Sequence, residues 1–372
     1  MKLLILLHHR FDLWNAPEWF SERLRKDFPQ LEVVHLGSYD GLEDHLHDAE
    51  IVITWSLRPE QFKTARKLRW IHSPAAAVHQ LIFPELVNSD VILTNSSQIH
   101  GPVVAEHVIA LLFALAKRLP DAVLLQQKHI WGQEPMWRGR PRPRELAGAT
   151  VGLVGLGSIG REVAKRASAL GMQVIATREH PEKGSREHVD QIFSSSQINE
   201  LLSQSDFVIL AAPLTSTTRS LMNAARFAKM KGDACLINVS RGPLVDQTAL
   251  AQALREKKIG GAALDVFDQE PLPSDSPLWD LENLLITPHT AAMTEKLWER
   301  HYHLIADNLR RYLAHEPLQA IVDKQRAINR LQVIAPGDSL STLVTGASPR
   351  TLATIEASNG PAELTWDELG YA

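Results

Sequence analysis

Short apolar runs alternate with helix-like stretches along the first hundred residues of the chain. The strand-like runs are residues 2–7, 31–36, 51–54, 69–72 and 91–93. The helix-like stretches between them are residues 15–28, 59–66 and 80–87. Because strands and helices alternate, this part is predicted to form a parallel sheet with helices on both faces.

The same alternation begins again at Thr150. Its strand-like runs are residues 150–154, 173–176, 207–210, 234–238, 261–264 and 284–286. The chain has 372 residues, which is enough for two domains with separate hydrophobic cores. We therefore predict an α/β protein with two doubly wound parallel-sheet domains.

Three further segments complete the pattern. Residues 102–119 are apolar on nearly all sides, so a helix there must be buried on several sides. It is either a core helix of the chain or a helix that also packs across the two-fold axis of a homodimer. Residues 130–148 are predicted to be an irregular loop. Apolar residues spaced alternately by four and three predict an amphipathic helix containing Trp298, Tyr302, Ile305, Leu309 and Tyr312.

Composition and charge exclude several classes of function. Hydrophobic residues make up 44% and charged residues 22% of the chain, as in ordinary globular proteins. With a net charge of −4 and both signs interspersed, the chain lacks the basic footprint of a nucleic-acid-binding protein. No apolar run is long enough to span a bilayer, so no membrane association is expected. Histidine is frequent, but its spacing suggests no metal site.

The chain has one cysteine, Cys235, which lies in an apolar, strand-like run. A buried structural thiol is predicted in preference to a nucleophile. One cysteine cannot form an internal disulfide, which is consistent with a reducing cytoplasm.

A glycine-rich turn follows the strand-like run that begins at Thr150. It is preceded by this apolar run and followed by a helix-like stretch at residues 161–170. A strand, a glycine turn and a helix are the setting in which a dinucleotide pyrophosphate binds at a helix N-terminus. The residues of the turn predicted to contact the cofactor are Gly155, Gly157, Ser158, Ile159 and Gly160.

Three residues downstream of the turn have side chains that suit hydride transfer to a 2-keto acid. Arg241 can pair with the substrate carboxylate through a bidentate fork, and Gly242 beside it allows close approach of the backbone. His289 fits the proton donor and acceptor, because imidazole titrates near neutral pH. Glu270 fits a carboxylate that orients the imidazole and favours its protonated form. The alternatives are a surface arginine, a histidine that caps a turn and a solvated acidic residue.

Four motifs together resemble the D-isomer-specific 2-hydroxyacid dehydrogenase family. They lie at residues 155–160, 238–242, 265–271 and 287–290, in that family's order and spacing. The resemblance covers roughly residues 1 to 325 and is of the glyoxylate/hydroxypyruvate reductase type. It implies an NAD(P)-dependent enzyme that interconverts a small 2-keto acid and a D-2-hydroxy acid, with Arg241, Glu270 and His289 in the roles given above.

The resemblance also implies the domain organisation. A flavodoxin-like substrate domain would comprise residues 1–99 and 292–325, with a Rossmann cofactor domain at residues 100–291 inserted into it. Two crossings between the domains make a hinge, which suits closure over substrate and cofactor. The family's architecture favours a homodimer, with the helix at 102–119 in its interface. Residues 326–372 lie past the usual family end and are predicted to be a loop-like tail.

The family's motifs imply further contacts. The positions that match cofactor contacts are Pro213, Val239, Ser240 and Asp265. The substrate carboxylate is expected to meet backbone N–H groups of a loop in the first domain. The matching residues are Ala75, Ala76 and Ala77, where the family usually has glycines. Arg58 and Trp137 are candidates for the lining of the pocket around the rest of the substrate.

The end of the second strand in the cofactor domain bears on the choice of dinucleotide. NAD-specific members of this fold have an acidic residue about 20 positions past the glycine turn, where it accepts hydrogen bonds from the ribose. Here Arg178 takes that place, and its guanidinium can pair with a 2′-phosphate, while Thr177 can add a hydroxyl contact. NADP(H) is therefore favoured. If Arg178 points to solvent, Glu179 replaces the acid and NAD(H) is used.

A second class of function keeps the fold without turnover. Corepressors that resemble this family bind a dinucleotide, act as scaffolds and keep the same three residues. No partner-binding signature supports this alternative here. A formate-dehydrogenase-like function is disfavoured, because that branch has Gln where Glu270 stands.

Overall fold

A computed structural model of the chain describes residues 1–9 and 11–328. These residues form two compact units. The first consists of residues 1–100 and 294–328, and the second consists of Gly101–Met293. Most of the predicted tail, from residue 329 onward, lies outside the described residues.

Regular structure alternates along both units. The strands are β1 (Lys2–Leu6), β2 (Glu32–Leu36), β3 (Ile51–Thr54), β4 (Trp70–Ser73), β5 (Ile92–Asn95), β6 (Thr150–Val154), β7 (Gln173–Arg178), β8 (Gln191–Ser194), β9 (Phe207–Leu210), β10 (Cys235–Asn238), β11 (Gly261–Leu264) and β12 (Leu284–Ile286). The α-helices are α1 (Glu18–Asp27), α2 (Leu42–Leu46), α3 (Pro59–Thr64), α4 (Pro84–Val87), α5 (Gly101–Lys117), α6 (Leu119–Gln127), α7 (Gln133–Arg138), α8 (Ser158–Ala169), α9 (Ile198–Gln204), α10 (Ala224–Phe227), α11 (Gln247–Arg255) and α12 (Leu297–Leu313).

Each unit is built on one parallel sheet. The strand order is β2-β1-β3-β4-β5 in the first unit and β12-β11-β10-β9-β6-β7-β8 in the second. The direction of winding reverses beside β1 in the first sheet and beside β6 in the second. Ligands of such sheets bind beyond the carboxyl ends of the strands at this point of reversal. The prediction of two doubly wound parallel-sheet domains is confirmed.

Helices cover both faces of each sheet. Leu3 and Ile5 of β1 pack in a core with α1 and α12, whereas Leu4 and Leu6 pack on the other face with α2 and α4. In the second unit, Leu153 of β6 packs with α5 and α8, and the next residue packs with α9 and α11. Because successive residues of a strand point to opposite faces, strands covered on both sides appear as continuous apolar runs.

One face of α5 belongs to the core of the second unit. Val104, Val108 and Leu112 are buried there together with Val163 of α8. Phe113, on another side of α5, is exposed. The helix is thus a core helix on one face and leaves apolar surface on another.

Three local predictions were wrong or incomplete. Residues 80–87 do not form one helix, because Pro84 forces Phe83 into an extended conformation and a separate short helix, α4, begins at Pro84. The segment 130–148 is not wholly irregular, since it contains α7. The edge strand β8 was missed.

No helix within residues 1–9 and 11–328 is long and apolar enough to cross a membrane.

Candidate active site

The glycine turn joins the end of β6 to the start of α8. Gly155 has a φ of +103°, and a Cβ there would lie 2.8 Å from the carbonyl oxygen of Ala211. A Cβ at Gly160 would lie 2.3 Å from the carbonyl oxygen of Gly155. A Cβ at Gly157, by contrast, would meet no protein atom within 4 Å. Protein atoms therefore pack closely against the turn at Gly155 and Gly160 but leave space at Gly157, as the approach of a pyrophosphate requires.

The first residues of α8 border this opening. Gly157 is the N-cap residue, and no side chain caps the helix there. Ser158 and Ile159, which follow it, are half-buried. The start of the helix directs N–H groups and the positive end of the helix dipole towards the opening, which suits a phosphate.

Arg178 ends β7, beside the glycine turn. The carbonyl of Thr177, the residue before it, accepts a hydrogen bond from Gly155 N–H at 3.3 Å. The guanidinium of Arg178 is half-buried and donates from Nη2 to the carbonyl of Ser185 at 2.9 Å. Thr177 is buried and Glu179 is exposed. The end of this strand thus carries a half-buried cation next to the turn.

The loop after β10 orders Arg241 through its own hydrogen bonds. The buried Asn238 side chain accepts from Ser240 N–H at 3.0 Å and donates to the Arg241 carbonyl at 2.9 Å. Ser240 Oγ donates to the carbonyl of Ala212 at 2.5 Å, which ties this loop to the end of β9. The Arg241 guanidinium donates from Nη1 to the carbonyl of Ser240 at 2.7 Å.

Gly242 lies against the segment that carries Glu270. A Cβ at Gly242 would lie 1.9 Å from the carbonyl carbon of Phe267 and 2.5 Å from the backbone nitrogen of Asp268. Only glycine therefore allows these two backbones to meet. Their contact sets the separation between the loop of Arg241 and the segment of Glu270.

Glu270 and His289 form a hydrogen-bonded pair. Glu270 Oε2 lies 2.6 Å from His289 Nδ1, and Glu270 Oε1 accepts from Phe267 N–H at 2.7 Å. The carboxylate side chain is 11% exposed and the imidazole is 39% exposed. Because a carboxylate only accepts, Nδ1 carries the proton of this bond, and Nε2 is the nitrogen that can exchange a proton with a substrate. This is the arrangement of a general acid and the carboxylate that orients it.

Asp265, just after β11, holds the turn on which His289 lies. His289 has a φ of +52°, which is uncommon for a residue other than glycine. The Asp265 carbonyl accepts from His289 N–H at 3.0 Å, and its carboxylate accepts from the N–H groups of Thr290 and Ala291, both at 2.9 Å. The carboxylate also accepts from Thr287 Oγ1 at 2.5 Å. The contact of Asp265 with a cofactor stays a prediction.

Sequence analysis missed one residue that reaches this turn. His107 Nε2, on α5, lies 3.2 Å from Thr287 Oγ1. The available signal was a histidine within a largely apolar helix.

The remaining cofactor candidates lie beyond the ends of β9 and β10. Pro213 is exposed, and Val239 is buried beside Ser240. The contacts of these residues with a cofactor stay predictions.

The first unit contains the loop predicted to bind an anion. The carbonyl of Ala75 accepts from Ser96 N–H at 3.2 Å, and that of Ala76 accepts from Asn95 Nδ2 at 2.7 Å. Both carbonyls point towards the end of β5, and the described part of the chain offers no acceptor to the N–H groups of Ala75, Ala76 and Ala77. None of the three alanines has a positive φ, so alanine fits where the family usually has glycine.

The other residues considered in the sequence lie as follows. Arg58 is exposed at the N-terminus of α3, and Trp137 on α7 is 57% exposed, with the guanidinium of Arg142 over its ring. Their contacts with substrate stay predictions. Cys235 is buried, which confirms the predicted buried thiol, and burial raises the pKa of the thiol to about 11. Within residues 1–9 and 11–328, no group of three or more His, Cys, Asp or Glu residues could hold a metal ion.

Comparison with known sequences places the chain among dehydrogenases. The family described as D-isomer specific 2-hydroxyacid dehydrogenase, NAD binding domain, matches residues 109–291. A glyoxylate reductase of Thermofilum pendens is 34% identical over 276 residues, which cover 74% of this chain and 80% of that protein. A D-3-phosphoglycerate dehydrogenase of Methanocaldococcus jannaschii is 32% identical over 304 residues, which cover 81% of this chain but only 57% of the longer enzyme.

Solved structures agree with the sequence matches. A D-isomer specific 2-hydroxyacid dehydrogenase family protein from Aeromonas salmonicida has a TM-score of 0.73 and 31% identity, and the match covers 87% of this chain and 99% of that one. An NADPH-dependent glyoxylate/hydroxypyruvate reductase from Sinorhizobium meliloti, in complex with NADP and sulfate, has a TM-score of 0.70 and 27% identity. That match covers 88% of this chain and 99% of the reductase.

Proposed function

Because the chain belongs to the D-isomer specific 2-hydroxyacid dehydrogenases, NAD(P)-dependent oxidoreductases of CH–OH groups, we propose that it reduces a small 2-keto acid to the D-2-hydroxy acid in the cytoplasm. The observation that carries the proposal is the Glu270–His289 pair, joined at 2.6 Å. This pair follows β11 and β12, and the glycine turn follows β6 in the same parallel sheet. Both therefore lie at the edge where ligands of such sheets bind.

Each residue of the site has one task in this reaction. Arg241 binds the substrate carboxylate and polarises the adjacent carbonyl. His289 donates the proton on Nε2 to the carbonyl oxygen, and Glu270 stabilises the imidazolium before the transfer. A reduced nicotinamide, when bound at the glycine turn, supplies the hydride. The N–H groups at residues 75–77 are proposed donors to the substrate carboxylate.

We further propose that NADP(H) is preferred to NAD(H). The support is Arg178, a half-buried guanidinium beside the glycine turn, at the strand end where NAD-specific proteins carry an acid. Its bond to the Ser185 carbonyl holds it as a preformed cation that a 2′-phosphate can engage. The reductase from Sinorhizobium meliloti, which is NADPH-dependent, has the same fold.

Steady-state kinetics with both cofactors test these two proposals together. Glyoxylate, hydroxypyruvate and phenylpyruvate are offered to the purified protein, and oxidation of NADPH and of NADH is followed. We expect turnover of at least one acid, with a higher kcat/KM for NADPH than for NADH. Arg178→Asp should reverse that ratio, whereas Arg255→Asp, an exposed arginine at the end of α11, should leave it unchanged.

Two results would contradict the proposals. Binding of cofactor without turnover of any acid would favour a dinucleotide-binding scaffold. A wild-type ratio below one, or a ratio untouched by Arg178→Asp, would rule out the NADP(H) preference.

We also propose a homodimer formed through α5 and α6. Phe113, Leu119, Val123 and Leu124 are between 37% and 52% exposed, which is unusual for neighbouring large apolar residues of a monomer. Light scattering should give twice the chain mass of 41.5 kDa at micromolar concentration. A mass of one chain would contradict the dimer.

A further inference from the structure

A short chain of polar contacts runs from α5 to the turn that carries His289. His107 Nε2 lies 3.2 Å from Thr287 Oγ1 and 3.6 Å from Asp265 Oδ1. The Thr287 hydroxyl in turn lies 2.5 Å from the same Asp265 oxygen. The His107 side chain is only 19% exposed, and that of Asp265 only 1%, so solvent has little access to these contacts.

The direction of these hydrogen bonds follows from the number of protons available. The Asp265 carboxylate only accepts, so the single Thr287 hydroxyl proton is donated to it. Thr287 Oγ1 must then accept from His107, which places a proton on His107 Nε2. Burial lowers the pKa of His107, against the opposing effect of the Asp265 carboxylate, so the imidazole is a neutral donor at neutral pH.

The contacts end on a strained backbone. His289 has a φ of +52°, a conformation that costs free energy for a residue other than glycine and persists only when its surroundings hold it. Asp265 stabilises this conformation, because it accepts hydrogen bonds from the N–H groups of His289, Thr290 and Ala291. Any rotation of the Asp265 carboxylate would loosen the turn and shift the imidazole.

We propose that His107 is a positioning residue, which locks the Asp265 carboxylate through Thr287 and thereby fixes His289 in the orientation needed for proton transfer. This inference rests on the proposed function. Within the described residues, His107 forms no hydrogen bond or ion pair with Arg241, Glu270 or His289, so its effect passes through the turn.

Four variants test the proposal. His107→Phe keeps an aromatic ring but removes the donor, and His107→Gln keeps an N–H group at a similar reach. Thr287→Val removes the hydroxyl that links the two ends. Glu106→Gln is the matched control, because its exposed side chain is next to His107 on α5 but pairs with Arg166.

The expected effect is on kcat. His107→Phe should lower kcat about tenfold, the loss expected for one buried hydrogen bond. The KM for the keto acid should stay within about twofold of wild type, because the polar contacts of His107 are with Thr287 and Asp265 and not with the predicted substrate-binding residues. His107→Gln should recover most of the rate. The double variant His107→Phe/Thr287→Val should be no slower than the slower of the two single variants, because both substitutions break the same chain of contacts.

Wild-type kcat in His107→Phe, or losses that multiply in the double variant, would overturn the positioning role while the proposed function stands.

If wild-type protein turns over no keto acid, the proposed function fails, and the imidazole ¹⁵N NMR signals of His289 decide the inference instead. These signals must shift in His107→Phe and stay in place in Glu106→Gln. Signals unmoved in both variants would refute it.

Discussion

Gly242→Ala should damage both the stability of the second unit and its catalysis. A Cβ at this position would lie 1.9 Å from the carbonyl carbon of Phe267 and 2.0 Å from its oxygen, whereas ordinary van der Waals contact begins at 3.4 Å. The two segments would have to separate by about 1.5 Å, since both obstacles are backbone atoms rather than flexible side-chain ends.

The size of the effect follows from this separation. Overpacking typically costs about 1–3 kcal/mol, and rigid backbone on both sides places Gly242→Ala near about 3 kcal/mol. For a unit of this length, that lowers Tm by roughly 6–12 °C. Arg241 would also move relative to Glu270 and His289 by about 1 Å or more, and a misplacement of this size costs roughly 100-fold in rate.

Thermal melts and kinetics of three glycine variants provide the assay. Gly232→Ala is the matched control, because its Cβ would meet no atom within 4 Å, and it should resemble wild type in both measurements. Gly157→Ala, also unobstructed by protein, should keep the wild-type Tm but weaken cofactor binding. If Gly242→Ala melts and turns over like Gly232→Ala, the close contact with Phe267 does not set the geometry of the site.

Further outcomes follow from the same structure. His289→Ala should lower kcat by ~100- to 10,000-fold with cofactor affinity nearly unchanged, and Glu270→Gln should retain part of the activity. Arg241→Lys should raise the keto-acid KM and lower kcat, because lysine keeps the charge but loses the fork. Burial lowers the pKa of His72 to about 3 and holds the pKa of His301 well below its ordinary value. The unfolded chain protonates both near pH 6.5 and the folded chain does not, so the free energy of unfolding should fall as pH drops below about 6.5. His72 contributes a fall of about 1.4 kcal/mol per pH unit down to about pH 3, and His301 acts in the same direction. Urea unfolding of wild type and His301→Asn should show a shallower fall in the variant.

The parts of the fold that were predictable share one physical feature. Strands such as β1 and β6 are buried on both faces, so their apolar runs stand out from the sequence. The edge strand β8, Gln191–Ser194, has only two apolar residues and shows no such run. The short helix α7 spans too few turns for a helical period to be recognised, and the helix predicted at residues 80–87 is cut short because Pro84 starts a new helix, α4.

The candidate site was predictable to the extent that its chemistry lies in motifs. Glu270 and His289 lie in separate motifs after neighbouring strands, and the structure brings them to 2.6 Å. No sequence motif indicates the hydrogen bonds that hold these two residues in place. His107 and Thr287 are 180 positions apart in the chain and meet only because α5 packs on the sheet. The direction of the N–H groups in the loop at residues 75–77 likewise depends on the folded backbone.

Transfer of deuterium from NADPH deuterated at both C4 positions to a 2-keto acid tests the central claim most directly. With phenylpyruvate or hydroxypyruvate, the product should be the D-2-hydroxy acid with deuterium at C2, formed by wild type and nearly absent with His289→Ala. A product without deuterium at C2, an L-hydroxy acid, or undiminished transfer in His289→Ala would contradict the proposed reaction.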